Sequence, residues 1–463
     1  ETYKKRIETF GWNVLEIKNG HNIEEIKKIF AKANTLNTVH TQKPTMILAR
    51  TVKGKGVPFL EDKPGWHGKA VPKDRLQEAL KAIGSYDKKV MGIIASAPLF
   101  DTEMQSKTAD VLKKLNNFIG GTSKGHPAAR TKLQPAGIGG FGALTGEITS
   151  DRIYEVNVPI ATREAFGDAL ADLGKSNPQV VALDAEVGNS TYTERLKETN
   201  PTHFFQMFID EENMVSVGLG LSKMGYIPYI STFAAFLTRA YDQMRMAQYS
   251  KPTLNIVGSH AGCSIGQDGI SQMALEDISM MRSLRESTVL YPADAISAYK
   301  LTKEMTLRKG VNYLRTTREK TPILYKNNEQ FPIGGCKIHS LKNKKSIALI
   351  ISAGITLYES LKAQKILEKN QIYTTVIDLY SVKPLDSKTI QHFAKQVKQI
   401  IVVEDHYEAG GIGEAVITSC KELNVDVTFT HLCVRKEPRS GTPEELLCFE
   451  EIDAEAIVKS IIK

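Results

Sequence analysis

Thr253-Leu-Asn-Ile-Val-Gly258 runs straight into Ser259-His-Ala-Gly-Cys-Ser-Ile-Gly-Gln-Asp-Gly-Ile-Ser-Gln272. A short apolar run closed by glycine reads as a buried strand, and the polar, glycine-rich stretch after it reads as the loop at that strand's carboxyl end. The same grammar recurs on both sides. Val180 to Asp184, Phe204 to Ile209, Tyr226 to Thr232, Thr288 to Tyr291 and Val311 to Thr316 are strand-length apolar runs separated by helical patterns. After about residue 340 it restarts with Ser346 to Ala353, Tyr373 to Leu379, Gln399 to Glu404 and Asp426 to Leu432. This alternation predicts an α/β protein built on parallel sheets with helices on both faces. The direction of the last strand, parallel or antiparallel at an edge, is open.

The chain has 463 residues, about three typical domain lengths, and divides by composition into four stretches. Residues 1–84 read as a head with a helix from Ile23 to Lys32, one strand from Thr45 to Thr51 and a helix from Pro72 to Ile83. Residues 85–150 are glycine-rich and read as a connector. Residues 151–330 and 331–463 are the two α/β domains. Hydrophobic residues at 41% and charged residues at 24% exclude a disordered chain. No uncharged apolar run is long enough for a membrane-spanning helix. Lys and Arg exceed Asp and Glu by 60 to 52, giving +8, but they are scattered, so no nucleic-acid footprint is predicted. A few well-placed cations still suit an anionic small substrate. The five cysteines, Cys263, Cys336, Cys420, Cys433 and Cys448, form no C-x-x-C pair and point to a reducing, cytoplasmic setting without a zinc site. The chain opens Glu1-Thr-Tyr-Lys-Lys without methionine, which reads as a non-native start.

Three segments carry chemistry. Ile209-Asp-Glu-Glu-Asn-Met214 lies where a strand gives way to a helix, placing carboxylates at the carboxyl end of the sheet. Taken alone, acids there are explained by the helix dipole. Ser231-Thr-Phe-Ala-Ala-Phe-Leu-Thr-Arg-Ala-Tyr241 sets Phe233, Phe236 and Leu237 along one stripe, which core packing alone would explain. In the 259–272 loop, glycines permit close backbone approach while His260, Asp268 and Gln272 can converge on a small polar ligand.

Together with Val403-Glu-Asp-His-Tyr-Glu-Ala-Gly-Gly-Ile-Gly413, Pro438-Arg-Ser-Gly441, Lys53-Gly-Lys-Gly56 and Gly65-Trp-His-Gly-Lys69, these segments resemble the animal-like branch of the transketolase family, in the family's order. The resemblance covers about 1–84 and 155–463. It implies a parallel-sheet thiamine-diphosphate-binding fold: the tail of a diphosphate domain, a pyrimidine-binding domain and a C-terminal domain serving dimer contact and architecture. It implies transfer of a glycolaldehyde unit from a ketose phosphate to an aldose phosphate through a covalent thiamine diphosphate adduct, as in the pentose phosphate pathway. Glu211 then bonds the pyrimidine nitrogen, whose protonation favours the imino form that deprotonates the thiazolium carbon. Phe236, helped by Phe233, stacks on the pyrimidine. Lys53 and Gln272 contact the cofactor. His67 touches cofactor and substrate and, with Glu211 and His260, does the catalytic work. Lys69, His260 and Asp268 contact the substrate, and Arg163, Ser190 and Arg315 grip its phosphate.

The family's Gly-Asp-Gly segment and the Asn some thirty residues later, which hold the diphosphate and its Mg or Ca ion, are absent from this sequence. Gly266-Gln-Asp-Gly269 is not that motif. The resemblance therefore places the metal ligands upstream, in a longer subunit of a homodimer or in a separate N-terminal half chain. A non-catalytic transketolase-like assembly subunit is the alternative from another class. Deoxyxylulose-phosphate synthase and the β chain of pyruvate dehydrogenase are the related enzymes to exclude. A nucleotide-binding reading of Gly411-Ile-Gly413 lacks a third glycine and the right strand-to-turn spacing.

Overall fold

The computed structural model describes residues 2–38, 43–66, 69–84, 151–341, 344–421 and 427–462. The glycine-rich stretch 85–150 and His67 lie outside the described residues. Two compact units divide the chain, Glu1–Ile138 and Gly139–Lys463.

In the first unit, β1 (Asn13–Ile17) and β2 (Thr45–Ala49) pair in parallel across the helix Ile23–Thr38, with a further helix at Leu76–Ile83. The sequence pattern shows one strand here. It hides β1 because Asn13 and Glu16 break the apolar run of Val14, Leu15 and Ile17. Leu15, Ile17 and Ala33 are buried, whereas Tyr3, Phe10 and Phe30 stay exposed. A two-stranded sheet has too little area to cover them.

The second unit holds two larger sheets. β4 (Val180–Asp184), β5 (Phe204–Gln206), β6 (Ile227–Phe233), β7 (Thr253–Ser259), β8 (Ser287–Leu290) and β9 (Gly310–Arg315) follow a short β3 (Ile160–Ala161) and precede β10 (Lys320–Thr321), which pairs with β3. The C-terminal strands are β11 (Lys337–His339), β12 (Ala348–Ser352), β13 (Thr374–Asp378), β14 (Ser381–Lys383), β15 (Gln399–Tyr407) and β16 (Thr428–Val434). The seven-stranded order is β14-β8-β9-β7-β6-β4-β5 and the five-stranded order is β11-β13-β12-β15-β16. All pairings within these two sheets are parallel except those of β14 and β11 at the edges. β16 therefore runs parallel to β15, because the helix Ile412–Cys420 between them returns the chain to the same end of the sheet. The antiparallel edge falls on β11 instead.

Both faces of the seven-stranded sheet are covered, which is why its strands read as unbroken apolar runs. Val180 and Ala182 pack with Phe166 and Leu170 of the helix Thr162–Ser176 on one face. Val181 and Leu183 pack with Met214 and Val215 of the helix Glu211–Lys223 on the other. The second core continues into the five-stranded sheet through Leu349, Ile377 and Val402. β14 leaves the C-terminal domain to join β8, so the two domains share both a core and a sheet edge.

Candidate active site

Glu211 opens the helix Glu211–Lys223, with Asp210 as its cap accepting from the Asn213 N–H. The turn that delivers it holds Phe208 at φ 59°, so Glu211 points inward and is 2% exposed. A bare carboxylate so deep needs a partner. Arg239 donates Nη1–H to Oε1 at 2.6 Å, and the other oxygen accepts no hydrogen bond among the described residues. The same guanidinium lies 4.6 Å over the Phe236 ring. Arg239 was missed in the sequence, although its three-residue spacing from Phe236 was a usable signal.

Phe233 ends β6, and the segment Ala234–Ala240 is a 3₁₀ turn rather than an α-helix start. In 3₁₀ geometry residues three apart eclipse one another. Accordingly Phe233 and Phe236 stack, with centroids 5.4 Å apart at 13°, while Leu237 turns into the core. His260 stacks on Phe233 at 3.9 Å and pairs Nδ1 with the Ser259 hydroxyl at 2.8 Å. It holds φ 59°, a costly conformation for a non-glycine residue. Burial, then the nearby charges of Arg163 and Arg318, push its imidazole down to about 2, so the ring is neutral throughout the physiological range.

A cationic end lies beside this ring. Arg163, second residue of the helix Thr162–Ser176, donates to the Ser190 carbonyl at 2.7 Å, which brings the two residues together. Among the described residues its buried Nε has no partner, and burial lowers its pKa. Asp184 shapes the loop carrying Ser190 by accepting from Thr191, Thr193 and the Val187 N–H; burial outweighs these bonds and raises its carboxyl to about 6. Asp268 pairs with Arg318 at 3.0 Å.

The phosphate grip read onto Arg315 does not fit the structure. Arg315 is fully buried and bonded to Asp277, Asp405 and the Ala274 carbonyl, leaving no face for a ligand. It ends a strand whose period puts it on the face of Val311 and Tyr313, packed against the C-terminal domain, while Arg318, three residues on and past the strand end, remains partly accessible beside Asp268. Gln272 is half-buried in the same loop as His260. Lys53 and Lys69 belong to the first unit, where Lys69 sits 5.2 Å over Trp66.

Two other expectations meet the structure in the C-terminal domain and at the metal. The amino end of the helix Ile412–Cys420 is taken by Glu404, which accepts from Ile412 N–H at 2.6 Å and Gly413 N–H at 2.9 Å, so a carboxylate already stands where the Gly411-Ile-Gly413 turn would hold a nucleotide phosphate. Among the described residues no group of three His, Cys, Asp or Glu could hold a metal ion.

Family comparisons meet this geometry. The profile "Transketolase, pyrimidine binding domain" matches 158–323, "Transketolase, C-terminal domain" matches 338–457, and "Transketolase, thiamine diphosphate binding domain" matches 1–134. Human transketolase is 39% identical over 463 residues, all of this chain and 67% of its own length. The chain belongs to the transketolase family. The transketolase-like protein 2 of Mus musculus is 40% identical over 461 residues, again 67% of its length. Among solved structures, a split-gene transketolase described as an inactive β4 tetramer aligns with TM-score 0.60 and 34% identity over 65% of this chain and 97% of its own. Campylobacter jejuni transketolase, at 19% identity and TM-score 0.58, shares the fold. The transketolase-family chain thus spans about two thirds of the length of its curated relatives. Among the described residues no helix is long and apolar enough to cross a membrane.

Proposed function

We propose that the chain serves a transketolase, transferring a two-carbon ketol unit from a ketose phosphate to an aldose phosphate with thiamine diphosphate as cofactor. The observation that carries this reading is Glu211: a buried carboxylate with one oxygen fixed by Arg239 and the other unpaired, next to stacked Phe233 and Phe236. A flat heterocycle with a protonated ring nitrogen is what such a pair of features accepts. When bound, the cofactor supplies the carbon nucleophile and the electron sink.

The chain's residues then divide the remaining work. Glu211 holds the proton at the pyrimidine nitrogen, and Arg239 fixes the rotamer of that carboxylate. Phe233 and Phe236 wall the ring and exclude water. Neutral His260 hydrogen-bonds a substrate hydroxyl without adding charge, and Asp268 orients Arg318. Arg163, Ser190 and Arg318 hold the sugar phosphate. Gln272, Lys53, Lys69 and His67 keep the contacts implied by the resemblance. The diphosphate and its Mg or Ca ion take their ligands from the upstream part of the domain, on the same subunit or a separate chain.

Phe205, Phe208 and Ile209 lead directly into Glu211 yet are 36%, 66% and 72% exposed. Such an apolar rim beside a buried carboxylate supports a homodimer whose partner closes the site. Five free thiols suit a cytoplasmic setting.

Incubation of the native assembly with a ketose phosphate, an aldose phosphate, thiamine diphosphate and Mg²⁺ is expected to exchange two-carbon units. Release of carbon dioxide from pyruvate would instead favour the synthase or dehydrogenase relatives. The inactive split-gene tetramer keeps a second reading, assembly without catalysis, in view. That reading requires that the native assembly bind no thiamine diphosphate in calorimetry.

A further inference from the structure

In the five-stranded sheet the chain passes from β12 to β13 on one side and then to β15 on the other, so the crevice between the carboxyl ends of β12 and β15 is a topological switch point. Such crevices ordinarily receive ligands. Here Tyr291 fills it. A Cβ on Gly354, just past β12, would meet the Tyr291 ring at 2.0 Å. The Tyr291 hydroxyl donates to the Asp405 carboxylate at 3.0 Å and accepts from the Ile355 N–H at 3.3 Å. Tyr291 comes from the other domain, immediately after β8.

Asp405 joins this ring to the active-site loop. Arg315 Nη1–H donates to its Oδ1 at 2.7 Å, and Nη2–H donates to its carbonyl at 3.1 Å and to the Ala274 carbonyl at 3.3 Å. Arg315 Nε–H goes to Asp277 at 2.9 Å, and Tyr313 donates to Asp277 at 2.5 Å. A Cβ on Gly262 would lie 1.7 Å from Asp405 Oδ2, so the carboxylate abuts the backbone two residues after His260. The loop closes on itself through Gly262 N–H to the Met273 carbonyl at 2.6 Å, and its return limb is tied by Tyr407 N–H to the Leu275 carbonyl at 2.9 Å. Its apolar residues Cys263, Ile265, Met273 and Leu275 share a core with Val403 and Leu446 of the C-terminal domain. Gly269 approaches so near Ser440 that a Cβ there would sit 2.8 Å from its hydroxyl.

We propose that Asp405 is a positioning residue: the C-terminal domain has turned its ligand crevice into a seat that fixes the 259–276 loop, and with it His260 and Asp268, through Arg315, Tyr291 and the backbone at Gly262. The mechanism is geometric. Arg315 clamps the Ala274 carbonyl while Asp405 blocks inward collapse at Gly262, so the loop can occupy one path. The catalytic readout rests on the ketol-transfer reading; the structural readout does not.

The test compares Asp405→Asn, Asp405→Ala, Gly262→Ala and the double variant Gly262→Ala/Asp405→Ala with the unaltered protein, each in its native assembly. For Asp405→Asn, kcat/KM for ketose phosphate is expected to fall about 100-fold, the scale of a misplacement near 1 Å. Thiamine diphosphate affinity should fall far less, by no more than about fivefold, because Glu211 and Phe236 lie outside the loop and only Gln272 of the cofactor contacts lies within it. Amide hydrogen exchange across 259–276 should accelerate by about tenfold or more while β4, β6 and β7 keep their protection. In the cycle, removing Asp405 should restore about tenfold of what Gly262→Ala loses, since the two clash directly, while the backbone strain of alanine at φ 86° remains. Unchanged loop exchange in Asp405→Asn would overturn the proposal. So would a parallel loss of cofactor affinity and of protection throughout the fold, or strictly multiplicative effects in the cycle. If the unaltered protein transfers no ketol unit, the ketol-transfer reading fails, and the exchange measurements decide the positioning role alone.

Discussion

The two parallel sheets of the second unit end in crevices built from similar chemistry and put to opposite uses. At the carboxyl ends of β4 to β7, among the described residues, Glu211 keeps an oxygen unpaired, Arg163 keeps a buried Nε unpaired and His260 sits in a strained backbone conformation. At the carboxyl ends of β12 and β15 the charged groups are paired internally, and among the described residues only the small Ser352 hydroxyl at the end of β12 is left without a hydrogen bond. Glu404 caps its own helix and takes His431 Nε2 at 2.5 Å, while Asp405 is held by Arg315 and Tyr291. Charge and topology alone therefore do not mark a ligand site. What marks it is polar capacity that the fold leaves unspent.

The largest effect that would test this contrast is on stability. Arg315→Met leaves Asp277 and Asp405 buried together without their cation, and a loss of about 3–5 kcal/mol in denaturant unfolding is expected. A loss under about 1 kcal/mol would show that this charge is solvated after all. Glu211→Gln breaks the other side of the comparison. Ketol transfer should fall at least about 100-fold with the melting temperature essentially unchanged, because the amide can still accept from Arg239 but cannot hold the proton. Smaller again is Arg318→Ala, where KM for the sugar phosphate should rise about tenfold at near-constant stability. The same KM change from Arg315→Lys, with Arg318→Ala silent, would reverse the assignment of the two arginines.

The smallest expected change is none at all. The His260 imidazole resonance should not titrate between pH 5 and 9, since burial, Arg163 and Arg318 depress its pKa to about 2. The unfolded chain takes up that proton near 6.5. His260 therefore contributes stability that is present above pH 6.5 and is lost progressively as pH falls towards 2. His260→Asn should flatten that part of the pH–stability curve, measured by urea midpoints at pH 5 and 7.

Much of this was legible in the chain. The six strands of the seven-stranded sheet from β4 to β9 follow apolar runs whose ends are fixed by local residues, so periodicity finds them within a residue or three. The short edge strands β3, β10, β11 and β14 carry too few residues to show a period, and their pairing is long-range. At the site, Glu211, Phe233 and Phe236 stand at strand-to-helix junctions that sequence can locate. Arg239 and Arg318 needed distances, because each matters through a partner 28 or 50 residues away.

The segment Leu314-Arg-Thr-Thr-Arg318 shows where the division falls. Sequence by itself put Arg315 at the end of an apolar run and, through the family resemblance, gave it the phosphate; Arg318 drew no role. Only tertiary structure moved that role to Arg318. β9 ends at Arg315, and its alternation puts that guanidinium on the same face as Val311 and Tyr313, the one packed on the C-terminal domain, where Asp277 and, from that domain, Asp405 had to arrive to make burial tolerable. Arg318 lies beyond the strand and keeps contact with solvent and with Asp268. A local pattern sets the direction of a side chain relative to its own strand, but the cost of burying its charge is settled by whatever the rest of the chain packs against it.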